Sequence, residues 1–246
     1  MQNIIRNLAF LTPIFVLTIA TPGRSASIGA ITSETLEFPV LNSVLNSEVN
    51  SGIYSLDDGT AEASIGFNGG GDIAWLNSFT VVEGHKTITD ILIAWGSSID
   101  EGEAASVHLW SDPNNDGNPD DAVLLESVNT TVTNPSTNTF ASIDIPDRTF
   151  AVGDTFFVGG FMSSTDTFFP ALLDQTSSAG KSWVSGGAVG SVDLNNLSGS
   201  SAFGTIDSFG IPGNLLVRAK GTPEPENIFG TIIALTIAMM SLRKKR

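Results

Sequence analysis

No cysteine occurs in the 246 residues. Disulfides, thiolate catalysis, iron–sulfur clusters and cysteine-ligated zinc are thereby excluded. Histidine is nearly as scarce: His85 and His108 are the whole supply. They share no HxH or HExxH spacing, which speaks against a zinc site or a histidine-based triad. No GxSxG elbow surrounds any serine. No long stretch carries the 3.6-residue apolar period of an amphipathic helix, and no unit of 20 to 50 residues repeats. Positive charge is also sparse. Between Ser27 and Gly221 only Lys86, Arg148, Lys181, Arg218 and Lys220 are basic, against 24 Asp and Glu, a net charge of −19. Such a body does not bind nucleic acid through its phosphates, and anionic membrane surfaces repel it. Clustered carboxylates can instead attract hard cations such as Ca²⁺.

What is present is a β pattern rich in Gly, Ser, Thr, Asn and Asp. "AWLNSFTVV" alternates, with Trp75, Asn77, Phe79 and Val81 on one parity. "TITDILIAWG" is more continuously apolar, as in a central strand covered on both faces. "ASVHLWS" sets Val107 and Leu109 on one face and His108 and Trp110 on the other. "DAVLLESV", "TFASIDI", "DTFFVGGFM" and "GNLLVRAK" are further strands, and "SSAFGTI" a weaker one. Turns rich in Pro, Gly, Asn and Asp separate them: "SDPNNDGNPDD", "VEGHK", "TNPSTN" and "PDRTFAVGD". The stretch "LDQTSSAGKSWVSGGAVGSVDLNNLSGSS" is poor in large apolar residues and reads as a long, loosely structured excursion anchored by Trp183. The expected fold is all-β: a single antiparallel β-sandwich, jelly-roll-like, over 51–221. An irregular lead-in or edge strand occupies 28–50.

Three groups could carry chemistry. In "DPNNDGNPDD", Asp112, Asn114, Asp116, Asn118 and Asp120 fall at positions 1, 3, 5, 7 and 9 of an EF-hand-type calcium loop, with Gly117 at position 6. Position 12 is Val123, so the bidentate Glu is missing, and a plain acidic turn explains the same residues. Asp57, Asp58 and Glu62, followed by Gly69-Gly70-Gly71-Asp72, form the second group. They read as a carboxylate pair for glycoside hydrolysis, as an ion site, or as a turn and a Gly-rich hairpin. The Gly run is not a phosphate loop, because no Lys and no helix follow. Third, His108 and Trp110 share the exposed parity of their strand. With Trp95 or Trp183 they could present a sugar-stacking platform, although such a tryptophan more often packs in a core.

Both ends stand apart from this pattern. Residues 1–27 have the order of a secretory signal: Arg6, an apolar run from Leu8 to Ala20, then small residues. Ser25-Ala26-Ser27 and Thr18-Ile19-Ala20 both suit cleavage. At the other end, Asn227 to Leu242 holds no charged residue. As a helix it is about 24 Å long, slightly short of a bilayer core of about 30 Å. Arg243, Lys244, Lys245 and Arg246 can snorkel to cover the deficit and stay on the cytoplasmic side.

The order Pro223-Glu224-Pro225, apolar span, basic end, together with an N-terminal signal, resembles the PEP-CTERM sorting signal of bacterial exosortase substrates. The resemblance covers 222–246. It implies export through the secretion machinery and transient anchoring in the inner membrane. It further implies recognition of the triplet by an exosortase, loss of the tail, and delivery to the cell surface or extracellular matrix. The order "DDGTAE … GGGDIAWLNSF … VHLWSDPNNDGNPDDAVLL … DTFFVGGF" also resembles uncharacterised β-sandwich modules that accompany such tails. The sequence therefore leads to the expectation of an exported, non-enzymatic surface or matrix protein. It requires no cofactor beyond an optional Ca²⁺ and meets extracellular polysaccharide as a partner. A carbohydrate-binding module is the alternative, and a secreted hydrolase the third reading.

Overall fold

A computed structural model of the chain describes residues 17–20, 49–50 and 52–222. Its strands in chain order are β1 (Leu17–Ala20), β2 (Val49–Asn50), β3 (Ile53–Tyr54), β4 (Ala63–Phe67), β5 (Gly71–Thr80), β6 (Thr87–Ser97), β7 (Ala104–Ser111) and β8 (Val123–Thr131). There follow β9 (Phe140–Thr149), β10 (Thr155–Ser164), β11 (Phe168–Asp174), β12 (Ser182–Gly187), β13 (Ala202–Thr205), β14 (Asn214–Leu215) and β15 (Val217–Thr222). Among the described residues the helical pieces are two 3-10 turns, Leu197–Gly199 and Ile206–Phe209.

The strands form two sheets. The first runs β1-β4-β11-β6-β15-β3-β2, with β14 beside β11 and β9 beside β6. The second runs β13-β12-β5-β10-β7-β8. The pairings are antiparallel throughout. Most connections leave one sheet for the other. Only β7–β8 and β12–β13 are consecutive neighbours in the second sheet, and β2–β3 in the first. Both sheets contribute to one core, so the architecture is an antiparallel β-sandwich.

Alternation places the core. Ile73, Trp75 and Phe79 of β5, and Val81 just after it, face the first sheet, with Val107 and Leu109 of β7 and Phe156 and Val158 of β10 on the same side. Asn77 shares that parity and is fully buried. Its amide donates to the carbonyls of Leu215 and Val217, each at 2.8 Å, and accepts from Ser182 Oγ at 2.6 Å. A polar side chain thus bridges the two sheets with its hydrogen-bonding capacity used. Strand β6 is central, as its apolar run predicts: it lies between β9 on one side and β15 and β11 on the other.

The structure corrects two sequence expectations about strands. The excursion after β11 is not loose. It contains β12, which pairs with β5 from Ser182–Asn77 to Gly187–Asp72 and sits inside the second sheet. The small residues that hid this strand are required by close packing: a Cβ at Gly186 would lie 2.7 Å from the Phe67 ring. Strand β11 also goes undetected in the sequence, because Pro170 removes a ladder donor. A register shift between Phe168 and Ala171 takes up the proline.

Residues 188–201 then fold back over the outer face of the second sheet. Ala74, Leu76, Trp110 and Phe157 on that face form a second apolar cluster with Ala122 and Leu197. Three side chains pin the covering segment. Asp72 Oδ2 accepts from the amides of Gly190 (2.8 Å) and Val192 (3.3 Å). The Trp110 indole N–H donates to the Leu194 carbonyl at 2.9 Å. Ser185 Oγ donates to the Leu197 carbonyl at 2.8 Å.

Leu17–Ala20 lies inside the expected leader and pairs with β4. At the other end β15 runs to Thr222, the residue before Pro223. The remaining leader residues, the lead-in before Val49, and the sorting residues Pro223, Glu224, Pro225, Arg243, Lys244, Lys245 and Arg246 lie outside the described residues. Among the described residues no helix is long and apolar enough to cross a membrane.

Candidate functional site

The Asp112–Asp121 loop is the turn between β7 and β8, as the sequence predicts. Three of its oxygen side chains, Asp112, Asn114 and Asp116, are engaged with the loop's own backbone. The nearly buried Asp112 accepts from Asn115 N at 2.9 Å through one oxygen and from Gly117 N at 2.7 Å through the other. Asn114 Oδ1 accepts from Asp116 N, and Asp116 Oδ1 from Asn118 N. These are side-chain-capped turns of the kind Asp and Asn build readily. Asp121 carries the electrostatic cost. Desolvation first, and then the carboxylates of Asp112, Asp120 and Asp116, raise its pKa above the usual carboxylate value. Among the described residues no three His, Asp or Glu side chains are gathered so as to hold a metal ion.

The second carboxylate group is taken apart by the fold. Asp57 is buried against Arg218, whose Nε lies 3.1 and 3.0 Å from its two oxygens and whose Nη2 also donates. The guanidinium carbon stands 4.1 Å from the centre of the Phe140 ring. This arrangement locks Asp57 as a structural ion pair. Asp58 is exposed. The Thr60 hydroxyl and amide hold its pKa below the usual value, so it is a poor proton donor. Glu62 accepts from Gln175 N at 2.7 Å. Asp72 serves the outer-face staple described above. Asp57 and Glu62 therefore fasten distant segments, and Asp58 caps its own turn.

His108 and Trp110 are corrected most clearly. They stand on the outer face as the alternation predicts, but that face is covered and both are buried. His108 Nε2 lies 2.8 Å from Ser106 Oγ, and the ring packs beside Trp110 and Phe161. Burial pushes its pKa down to about 4, so the ring is neutral at pH 7. Neither ring presents a face to a ligand. Trp95 is likewise fully buried, packed edge-on to Trp75 at 6.1 Å.

Trp183 differs. It is half-buried on the outer face of β12, stacked on Phe203 of β13 at 5.7 Å with 29° between the rings. Strand β13 lies on one side of β12 and β5 on the other. On the β5 side a cleft of about 370 Å³ opens. Its floor is Ser78 and Thr80 of β5 and Thr155 of β10; its far wall is Asn115–Asn118; Gly180 and Lys181 close one end. Two buried polar atoms on its walls, Asn118 Oδ1 and Trp183 Nε1, have no hydrogen-bond partner. The cleft was not legible as a unit, because it joins the turn after β7 to a strand 70 residues later. The signals available were Trp183 and the amide-rich turn, separately.

A second cleft, of about 440 Å³, lies between 98–103 and 164–167 and is lined by Asp100, Glu101, Glu103 and Asp166. Its carboxylates also serve as local caps: Glu101 accepts from Asn134 N and Glu103 from Asp100 N.

These observations define the class as an acidic antiparallel β-sandwich with a covered outer face. No family model matches the chain, and neither does any curated protein or solved structure.

Proposed function

We propose that this is an exported, non-enzymatic protein of the bacterial cell surface or extracellular matrix, delivered by a PEP-CTERM tail that an exosortase processes. The observation that carries the reading is the C-terminal order Pro223-Glu224-Pro225, uncharged span, Arg243-Lys244-Lys245-Arg246, in a chain whose residues 1–27 have the order of a secretory signal. The body is jelly-roll-like in the way its chain passes repeatedly between the sheets. Removal of the leader takes β1 with it and leaves β4 at the edge of the first sheet. The non-enzymatic reading is supported by the engagement of Asp57, Asp58 and Glu62 in structural contacts.

Mass spectrometry of the protein recovered from the cell surface tests the proposal. A C-terminus between Pro223 and Glu226 is expected. A surface-located chain that still ends at Arg246 would make the tail a permanent anchor and end the sorting reading. The Asp112–Asp120 loop we read as a self-capped turn, since amides of the loop occupy the Asp112 and Asp116 carboxylates. Titration with Ca²⁺ checks this: no heat and no rise in melting temperature are expected. A saturable heat with a rise would instead give the loop an ion.

A further inference from the structure

Loss of the leader uncovers an edge of the first sheet. In the full chain β1 lies along β4, with Leu17 opposite Phe67, Thr18 opposite Gly66, Ile19 opposite Ile65 and Ala20 opposite Ser64. With β1 gone, β4 keeps β11 on one side and presents an unpaired row of backbone N–H and C=O groups on the other. The five residues of β4, Ala63–Phe67, include neither a charge nor a proline, the two devices by which natural edges resist pairing. Ala63, Ile65 and Phe67 belong to the main core, so the open edge also borders apolar side chains. An edge of this kind accepts a further strand through main-chain hydrogen bonds.

The register of β1 shows which strand fits. Opposite Phe67, Gly66, Ile65 and Ser64 the edge takes Leu-Thr-Ile-Ala: apolar, small polar, Ile, small. Strand β4 itself reads Ala-Ser-Ile-Gly over Ala63–Gly66, the same pattern. Laid antiparallel on a second copy in the register of β1, Ala63 meets the partner's Phe67, Ser64 the partner's Gly66, and Ile65 the partner's Ile65 on a two-fold axis. The strand is its own complement, with a large residue against a small one at both ends. Just outside it Glu62 falls opposite the partner's Asn68; both positions are exposed, and no like charges face each other. The competing occupant is Ala26–Gly29 of the same chain, which repeats Ala-Ser-Ile-Gly. It offers four residues against five and must be ordered on docking, whereas two β4 edges stand ready. Cleavage after Ser27 would also split it. We propose, resting on the leader reading, that the mature protein forms a two-fold dimer with a second copy of itself through β4, joining the two first sheets into one.

The test uses the protein recovered from the cell surface. Its N-terminus is read by mass spectrometry and its size by sedimentation in about 0.3 M NaCl, which screens the acidic bodies from each other. An N-terminus beyond Ala20 and a dimer that dissociates on dilution are expected. The amides of Ala63–Phe67 should exchange hydrogen at least tenfold more slowly in the dimer than in the diluted monomer. Charge at the flank reads the register. Asn68→Lys places a cation opposite the partner's Glu62 at both ends of the interface and should tighten the dimer. Asn68→Glu should loosen it, with about tenfold between the two dissociation constants. Position 68 is exposed, so neither change disturbs the core. Ser127→Lys and Ser127→Glu, on the exposed β8 edge of the second sheet, alter the net charge equally and should give equal constants. A monomer whose β4 amides exchange freely would mean that the edge stays open. A monomer with protected β4 amides would mean that the chain's own Ala26–Gly29 fills it, and a dimer indifferent to the charge at position 68 that another surface is used. Each of these would overturn the proposal and leave the leader reading intact. A surface protein that still begins at Met1 would end the leader reading, and the dimer with it.

Discussion

The two faces of the second sheet are built from the same strands in the same register, yet they do different work. The inner face is packed with large apolar side chains against the first sheet, and its buried polar pair, Asn77 and Ser182, is hydrogen-bonded together and to the first sheet. The outer face carries a smaller cluster, covered by a segment that holds on through side-chain hydrogen bonds from Asp72, Trp110 and Ser185. Where that cover stops, the outer face opens into the Trp183 cleft. Fold stability resides mainly on one side of the sheet, and the open cleft lies on the other. Two adjacent strand residues, Leu76 and Asn77, thus belong to different compartments because successive side chains point oppositely.

Truncating the inner face should do the most damage. Trp75 is fully buried, packed edge-on against Trp95. Trp75→Ala is expected to cost about 3–5 kcal/mol, read as a loss of the whole transition in denaturant unfolding. On the outer face Trp110→Ala is expected to cost about 3 kcal/mol, at the low end because the cover can settle into the space. The sharper contrast is the order of events. With the Leu194 bond gone, limited proteolysis should cut first within 188–201, before the sandwich unfolds. Simultaneous loss of cover and sandwich would show that the two faces are one cooperative unit.

Acid should distinguish the faces next. Burial depresses the pKa of His108 to about 4 from the ordinary imidazole value of 6.5. The unfolded chain therefore takes up the proton first as pH falls. The stabilisation is fully present above about 6.5 and is lost between about 6.5 and 4, on the order of 3 kcal/mol. Carboxylates titrate near the lower end of this range, so the comparison is between wild type and His108→Gln. The variant should show a flatter dependence of stability on pH between 7 and 4.5. An unchanged slope would mean that the outer face is open to water around His108. A milder change on the inner face is Gly160→Ala. Its new methyl would lie 2.6 Å from Trp75 Cζ2 and 2.7 Å from Ile93 Cδ1. Overpacking of this kind should cost about 1–3 kcal/mol in urea unfolding.

This asymmetry explains what could be read in the sequence. The inner face was legible because it follows period-two alternation: Trp75, Asn77, Phe79 and Val81 were placed on one parity, and Val107 and Leu109 on one face. The same rule put His108 and Trp110 on the opposite side, which is where they stand. It could not say that a distant segment returns to cover them, since alternation reports direction and not what lies in that direction. The covering segment itself is small and polar because its contacts are backbone amides and short hydroxyls, so composition made it look loose. Strand β12 needs Gly186 beneath Phe67, and β11 carries Pro170 at a register shift; each departs from strand propensity for a packing reason. The acidic clusters were visible as clusters. Which acid meets Arg218 and which caps a turn depends on partners as far as 161 residues away.

Trp183 gives the smallest expected effect on stability and the most direct test of the division between faces. It is half-buried at the margin of the outer cluster, stacked on the Phe203 ring, and its indole nitrogen has no partner to lose. Removal of one partner from a stacked pair should cost roughly 0.5–1.5 kcal/mol beyond the modest area uncovered. Part of this should be recovered, because an unsatisfied buried N–H is removed as well. Trp183→Ala is therefore expected to shift stability by about 1 kcal/mol or less in denaturant unfolding, well below Trp75→Ala or Trp110→Ala. A loss approaching that of Trp75 would show that the indole bears as much of the fold as an inner-face residue, and the contrast between the two faces would fail at that residue.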